Sequence, residues 1–212
     1  MSLLQAEPLL FWGYELLSAL LPFLLALFLF ARTCRRRGRA LSAASCRLLL
    51  LFAVYVAGVY HFTGAATLYE ALRYPWQPQN AFQLIPFSHR IDPVGYLLNV
   101  VLFVPLGLLV PVLWDRLRRF PSVLAAGLAF SLLVEATQLL NIRATDVDDL
   151  IMNGLGTAAG FGAYRLLDRR TKTGLRRAGI PAAALPLCVL VPYLGRFFLY
   201  NEMGLARLLY GF

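Results

Sequence analysis

Between residues 134 and 156 the chain reads VEATQLLNIRATDVDDLIMNGLG, which gathers Glu135, Gln138, Arg143, Asp146, Asp148, Asp149 and Asn153 in a sequence otherwise mostly hydrocarbon. Carboxylates and carboxamides at these spacings support three kinds of chemistry. They suit a hard cation such as Ca2+ or Mg2+, which prefers oxygen donors. Glu135 suits a general acid or base working on a lipid-linked head group. The whole set also suits binding alone, with Arg143 pairing with a carboxylate or phosphate and the acids with amines. The residues do not choose among the three, and they call for no organic cofactor. Cys34, Cys46 and Cys188 lack CxxC spacing, and the first two flank an Arg-rich loop, so neither a disulfide nor a thiolate metal site is expected.

The elements that position these residues follow from composition. At 59% hydrophobic and 15% charged residues, the chain reads as an integral membrane protein. A membrane helix needs about 20 apolar residues. Six runs approach that length, at 9–31, 48–68, 95–114, 122–140, 148–167 and 180–200. The expected fold class is therefore all-α, a polytopic transmembrane bundle of six spans, or five if the proline-containing last run is re-entrant. The first run is preceded by Glu7 and followed by Arg32, Arg35, Arg36, Arg37 and Arg39, the reverse of a cleavable signal, so it reads as a retained helix.

Nineteen of the 20 basic residues are Arg, clustered between apolar runs, a pattern of cytoplasmic loops rather than of a nucleic-acid surface. Fifteen of the 20 fall on one side of the proposed bundle, around 32–47, 116–119 and 165–177. The other side keeps Arg73, Arg90, Arg143, Arg196 and Arg207. The Lys and Arg bias places both termini and the 134–156 hairpin outside the cytoplasm.

In that topology Glu135 and Gln138 share a face near the outer end of the fourth run, and Asp146, Asp149 and Asn153 form an i, i+3, i+7 stripe where the fifth begins. Asn99 lies about one turn inside the third run. Three helices thus deliver polar groups at one depth. Tyr60, His61, Glu70, Ser88, His89, Arg90 and Asp92 belong near this level, with the 65–94 connection as an ordered interfacial cap. Plainer roles compete. Thr145 or Asp146 can cap the fifth helix. Gly156 and Gly160 form a GxxxG pair that favours close helix packing. His61 alone on an apolar run reads as a hydrogen-bonded packing residue. Glu135 resists such dismissal, because an ionisable group inside a span costs roughly 2.5 kcal/mol or more on insertion scales. Arg143 is its nearest partner, and a structural bridge supported by Asn99, Gln138 and Asn153 is the serious alternative to a functional pocket.

The order LIPF, NVVLFVPLG, SLLVEATQ and NIRATDVDDLIMNGLGTAAG resembles the VanZ-like family over residues 84–167. The pattern falls on Asn99, Pro105, Gly107, Glu135, Gln138, Arg143, Asp146, Asp149, Asn153 and Gly156. It divides the chain into 1–83, two N-terminal helices with the start of an outer loop; 84–167, a three-helix core; and 168–212, a basic cytoplasmic loop and a last helix. The resemblance implies an envelope protein of the bacterial cell membrane, and the founding member is linked to teicoplanin resistance. It implies no particular reaction.

The expected site is an outer-leaflet pocket with Glu135 as the catalytic candidate and Asn99, Gln138, Arg143, Asp146, Asp149 and Asn153 as binding residues. Its expected partners are membrane lipids and a lipid-linked cell-wall precursor or glycopeptide. The alternative is a non-catalytic scaffold or binding protein whose polar cluster is structural. A sorting enzyme or transpeptidase is disfavoured because Cys34 and Cys46 fall on the cytoplasmic side and Cys188 on the inner half of the last helix, and an ion-coupled transporter by superficial charge and the lack of an internal repeat.

Overall fold

The structure, a computed structural model, describes residues 3–74, 82–83, 85–88, 92–141, 145–170 and 180–211. Its helices are α1 (Leu3–Arg36), α2 (Ala43–Thr63), α3 (Leu68–Arg73), α4 (Pro93–Leu113), α5 (Phe120–Gln138), α6 (Val147–Arg170), α7 (Ala184–Leu199) and α8 (Glu202–Tyr210). Local chemistry sets several of their ends. Ser42 caps α2 by accepting from the Ser45 N–H at 3.0 Å, and Gly64 stops it with φ 64°, a left-handed conformation that a side chain would oppose. Thr67 and Glu70 close a reciprocal capping box on α3. Asp92 caps α4, whose first residue is Pro93, where a missing N–H costs nothing.

The bundle is built around α4 and α6, which run parallel. A Cβ at Gly156 would collide with the Val100 carbonyl, one at Gly160 with the Val104 carbonyl, and one at Gly107 with the Thr157 carbonyl. Only glycine lets these backbones approach so closely. The GxxxG pair is thus a packing device. Helix α5 runs antiparallel to α6, with Gly127 against Thr157 and Ser131 against Asn153. On the other side α7 runs antiparallel to α1, with Gly195 against Ser18, and parallel to α2, where the Tyr60 hydroxyl donates to the Val189 carbonyl at 2.9 Å. Helix α2 meets α4 through Tyr55, whose hydroxyl donates to the Leu102 carbonyl at 2.8 Å, and through Phe52 edge-on to Trp114. Away from these contacts the helices expose Leu21, Leu25, Phe28, Leu51, Val101 and Phe198, a surface suited to lipid.

All six expected runs are helical over most of their length, and four or five of them pass as candidate membrane spans by length and composition. Among the described residues four helical segments are long and apolar enough to cross a membrane: Pro8–Arg36, Ala43–Arg73, Pro93–Leu113 and Phe120–Gln138. The pair α7 and α8, bent by 41°, makes a fifth if counted as one broken span. Helix α6 has the length, at 24 residues, but carries Asp148, Asp149, Asn153 and Thr157 with several glycines. Packing explains its composition: α6 buries its small and polar face against α4 and α5 instead of presenting it to lipid. Arg196, counted with the basic residues of the outer side, is buried inside the bundle.

Arg35 and Arg36 end α1, Arg116 and Arg118 follow α4, and Arg169 and Arg170 end α6. Given the helix directions, these basic turns gather at one end of the bundle. The end of α5 and the start of α6 lie at the opposite end.

Candidate functional site

The polar end is organised by two short connections. Residues Phe82–Gln83 (β1) pair in parallel with Thr145–Asp146 (β2), Phe82 opposite Thr145 and Gln83 opposite Asp146. This ties the segment before α4 to the turn before α6. Asp146 then starts α6 by accepting the Asp148 N–H on its side chain at 2.9 Å, so the capping reading holds for Asp146. The same residue donates its own N–H to the Glu135 carboxylate at 3.0 Å.

Asp148, expected only as a neighbour of the site, organises it. It is 3% exposed, and its carboxylate accepts from the Phe87 N–H at 2.9 Å through one oxygen and from the Tyr96 hydroxyl through the other. The loop ahead of α4, the first turn of α4 and the first turn of α6 therefore converge on one side chain. One turn further along, the Asn99 amide donates to Asp149. The expected meeting of Asn99 with the Asp stripe of the fifth run occurs through this bond.

The other expected residues lie behind this layer. Glu135 is 3% exposed at the end of α5. Gln138 donates to the Thr63 carbonyl at 2.8 Å and Asn141 to the Gly64 carbonyl at 3.1 Å, so both satisfy the C-terminal carbonyls of α2. Asn153, 2% exposed, donates to Ser131 at 2.9 Å. The remaining oxygens of Gln138 and Asn153 are buried with no hydrogen-bond partner among the described residues. Arg143, the expected partner of Glu135, lies outside the described residues, as do His89 and Arg90.

A cavity of about 570 Å3 opens beside these groups. Asp92, Tyr96, Asn99, Asp146, Asp148 and Asp149 line its polar side, and Phe62, Leu98, Val101 and Leu102 its apolar side. Glu135, Gln138 and Asn153 are not among its lining residues; Glu135 holds the turn before α6, Asn153 ties α6 to α5, and Gln138 ties α5 to the end of α2. Among the described residues no three His, Cys, Asp or Glu side chains converge closely enough to hold a metal ion. Hydrogen bonds from Phe87, Tyr96 and Asn99 occupy carboxylate oxygens that a cation would need.

Asp92, expected near this level, does line the cavity, whereas Tyr96 escaped notice in the sequence because it lies outside the 134–156 cluster. The signal was present in the spacing of Asp92, Tyr96 and Asn99, which places all three along one side of the first turns of a helix.

Long apolar helices, lipid-suited flanks and one polar end define a multi-pass helical membrane protein. Within that class the chain belongs to the VanZ/LLP1 family, which it matches over residues 47–168. The match takes in α2, which the sequence motifs left outside. The chain is 32% identical over 117 residues to Protein VanZ of Enterococcus faecium, an alignment covering 54% of this chain and 72% of that protein. No solved structure matches.

Proposed function

We propose that the polar end faces the cell exterior, with both termini on that side and α6 and the α7–α8 pair completing six membrane segments, and that its cavity binds a cell-envelope component. The positive-inside bias supports the orientation, since the Arg-rich turns gather at the other end. The cavity itself carries the reading. It borders both chemistries: its polar side is aspartate, tyrosine and asparagine, while Phe62, Leu98 and Val101 on its apolar side are 70%, 61% and 56% exposed on the flank. An amphiphile anchored in the outer leaflet reaches such a cavity without leaving the membrane. The charged residues lining it are all Asp, which complements amines carried on sugars or peptides.

A lipid-linked cell-wall precursor and a glycopeptide both offer that combination. The second connects this site to the teicoplanin resistance that the family resemblance implies. In this reading Asn99, Asp146 and Asp149 contact the ligand, Gln138 and Asn153 brace the helices behind them, and Glu135 holds Asp146. Proton transfer by Glu135 to or from the bound head group would make the protein an enzyme.

Titration of the purified protein in lipid nanodiscs with a lipid-linked peptidoglycan precursor, and separately with teicoplanin, tests the proposal. Saturable binding of one of them is expected, weakened about tenfold or more in Asp149→Asn, where a charge-assisted hydrogen bond is lost. Absence of saturable binding to both, or identical affinity in an equally stable Asp149→Asn protein, would overturn it.

A further inference from the structure

At the same polar end of the bundle, on its α1, α2 and α7 side, three further ionisable side chains meet. The Arg196 guanidinium of α7 donates through Nε to Glu15 Oε1 of α1 at 2.6 Å, while its Nη1 donates to the carbonyls of Ala65 and Ala66 beyond α2. Glu15 Oε2 lies 2.6 Å from His61 Nδ1 on the last turn of α2. The His61 ring is held edge-on by Trp12 at 5.3 Å and by Phe62 at 5.2 Å. Glu15 and Arg196 lie outside the region matched to the family, and neither lines the aspartate cavity.

His61 borders a separate groove of about 260 Å3 between α1 and α2. Leu16, Ala19, Val54, Ala57 and Gly58 make its walls, Trp12 and Phe62 its rim, and the paired Glu15 and Arg196 join His61 at its polar end. Trp12 and Leu16 are among the exposed apolar residues of the flank, so the groove is open to lipid.

The charges in this cluster balance locally. Arg196 neutralises Glu15, and Glu15 fixes His61 with its Nδ1–H directed at the carboxylate, which makes Nε2 the acceptor. In the neutral imidazole Nε2 then carries a free lone pair, with no hydrogen-bond partner among the described residues. An acceptor in an apolar groove calls for an uncharged donor, because an ammonium would find no net negative charge to repay its desolvation.

We infer that this groove is a second binding site, seating the hydroxyl end of an uncharged membrane lipid, with His61 as acceptor and the α1–α2 walls holding its chain. The inference is independent of the proposed envelope ligand, because it uses none of the aspartates. Phe62 lines both cavities, so the two sites are neighbours separated by one side chain.

The test is photolabelling of the full chain in nanodiscs with a diazirine-bearing diacylglycerol, beside its methyl ether and a phosphatidylethanolamine carrying the same chain. Adducts are expected on residues 12–19 and 54–62. Labelling should fall roughly threefold to tenfold when the hydroxyl is methylated or when His61 is replaced by Ala, the loss of one hydrogen bond in a membrane. Gly58→Leu should abolish it. A Cβ at Gly58 meets nothing within 4 Å, so this variant projects a side chain into the groove, and with a melting temperature matching the parent's it carries the test if His61→Ala does not fold. Equal labelling by the methyl ether, stronger labelling by the phosphatidylethanolamine, or labelling that survives Gly58→Leu would each overturn the inference.

Discussion

The N–H of Asp146 donates to the carboxylate of Glu135 at 3.0 Å, so the end of α5 holds the turn from which α6 and its aspartates emerge. A carboxyl group buried at a helix end serves here as the acceptor for a loop amide that would otherwise lie unsatisfied.

This bond separates two substitutions at Glu135. Glu135→Gln keeps a carbonyl acceptor in nearly the same place, and its melting temperature should stay close to that of the parent. Glu135→Ala leaves the amide unpaired and should destabilise by about 1–3 kcal/mol, read by thermal unfolding in detergent. If Glu135→Ala melts with the parent, the bond does not hold the turn. If the Gln protein folds normally yet loses ligand turnover, Glu135 takes part in proton transfer.

Asp148 joins Phe87 and Tyr96. In Tyr96→Phe one of these bonds is lost and the other remains, whereas Asp148→Ala removes both. Hydrogen exchange at the Phe87 amide should accelerate roughly fivefold or more in Asp148→Ala. It should change far less in Tyr96→Phe. Equal exchange in all three proteins would mean that the loop before α4 is held by something else.

The contact between α4 and α6 predicts a sharp difference between neighbouring glycines. Gly160→Ala drives a Cβ into the Val104 carbonyl, a backbone atom that cannot move aside without separating the helices. A loss of about 1–3 kcal/mol is expected, from overpacking. Gly162→Ala places its Cβ in open space and should be neutral or slightly stabilising, since Ala favours helix. Comparable melting of the two variants would contradict the close backbone approach.

Glu15 and Arg196 form a buried pair joined at 2.6 Å. Removing either charge alone, in Glu15→Gln or Arg196→Gln, strands the other and should cost about 3–5 kcal/mol. The double variant should recover a good part of that loss. Additive losses in the two-residue cycle would show that the pair is not coupled.

Orientation is checked in whole cells. Ser88 is exposed in the segment joined to Asp148 through Phe87, and Arg36 ends α1 at the opposite end of the bundle. In a background lacking the natural cysteines, Ser88→Cys should react with an impermeant maleimide before the membrane is opened. Arg36→Cys should react only afterwards. The reverse pattern would place the aspartate cavity in the cytoplasm.

Much of the candidate site was legible because cost makes it visible. A carboxylate in an apolar run stands out against its surroundings, and the i, i+3, i+7 stripe from Asp146 to Asn153 needs only the helical repeat to be read as one face. The Asn99 to Asp149 contact follows from the same reasoning, because each sits near the start of a parallel helix. Glu15 stayed hidden for the opposite reason: a single acid in a run of leucines has no local pattern, and its partners are 46 and 181 positions away along the chain. Arg196 was only counted with the outer-side basic residues, because charge counting knows a residue's position along the chain and not its depth.

The sequence by itself determined the helices, their apolar flanks, the Arg-rich end and the family, since hydrophobic runs, caps and motifs are written over short distances. Tertiary structure alone decided which polar groups line a cavity and which brace it. It put Asp148 and Tyr96 at the aspartate cavity, drew Glu135 and Gln138 into supporting bonds, and brought Glu15, His61 and Arg196 together. The physical reason is that a buried polar group is defined by the partner that satisfies it, and here those partners come from helices far apart in the chain.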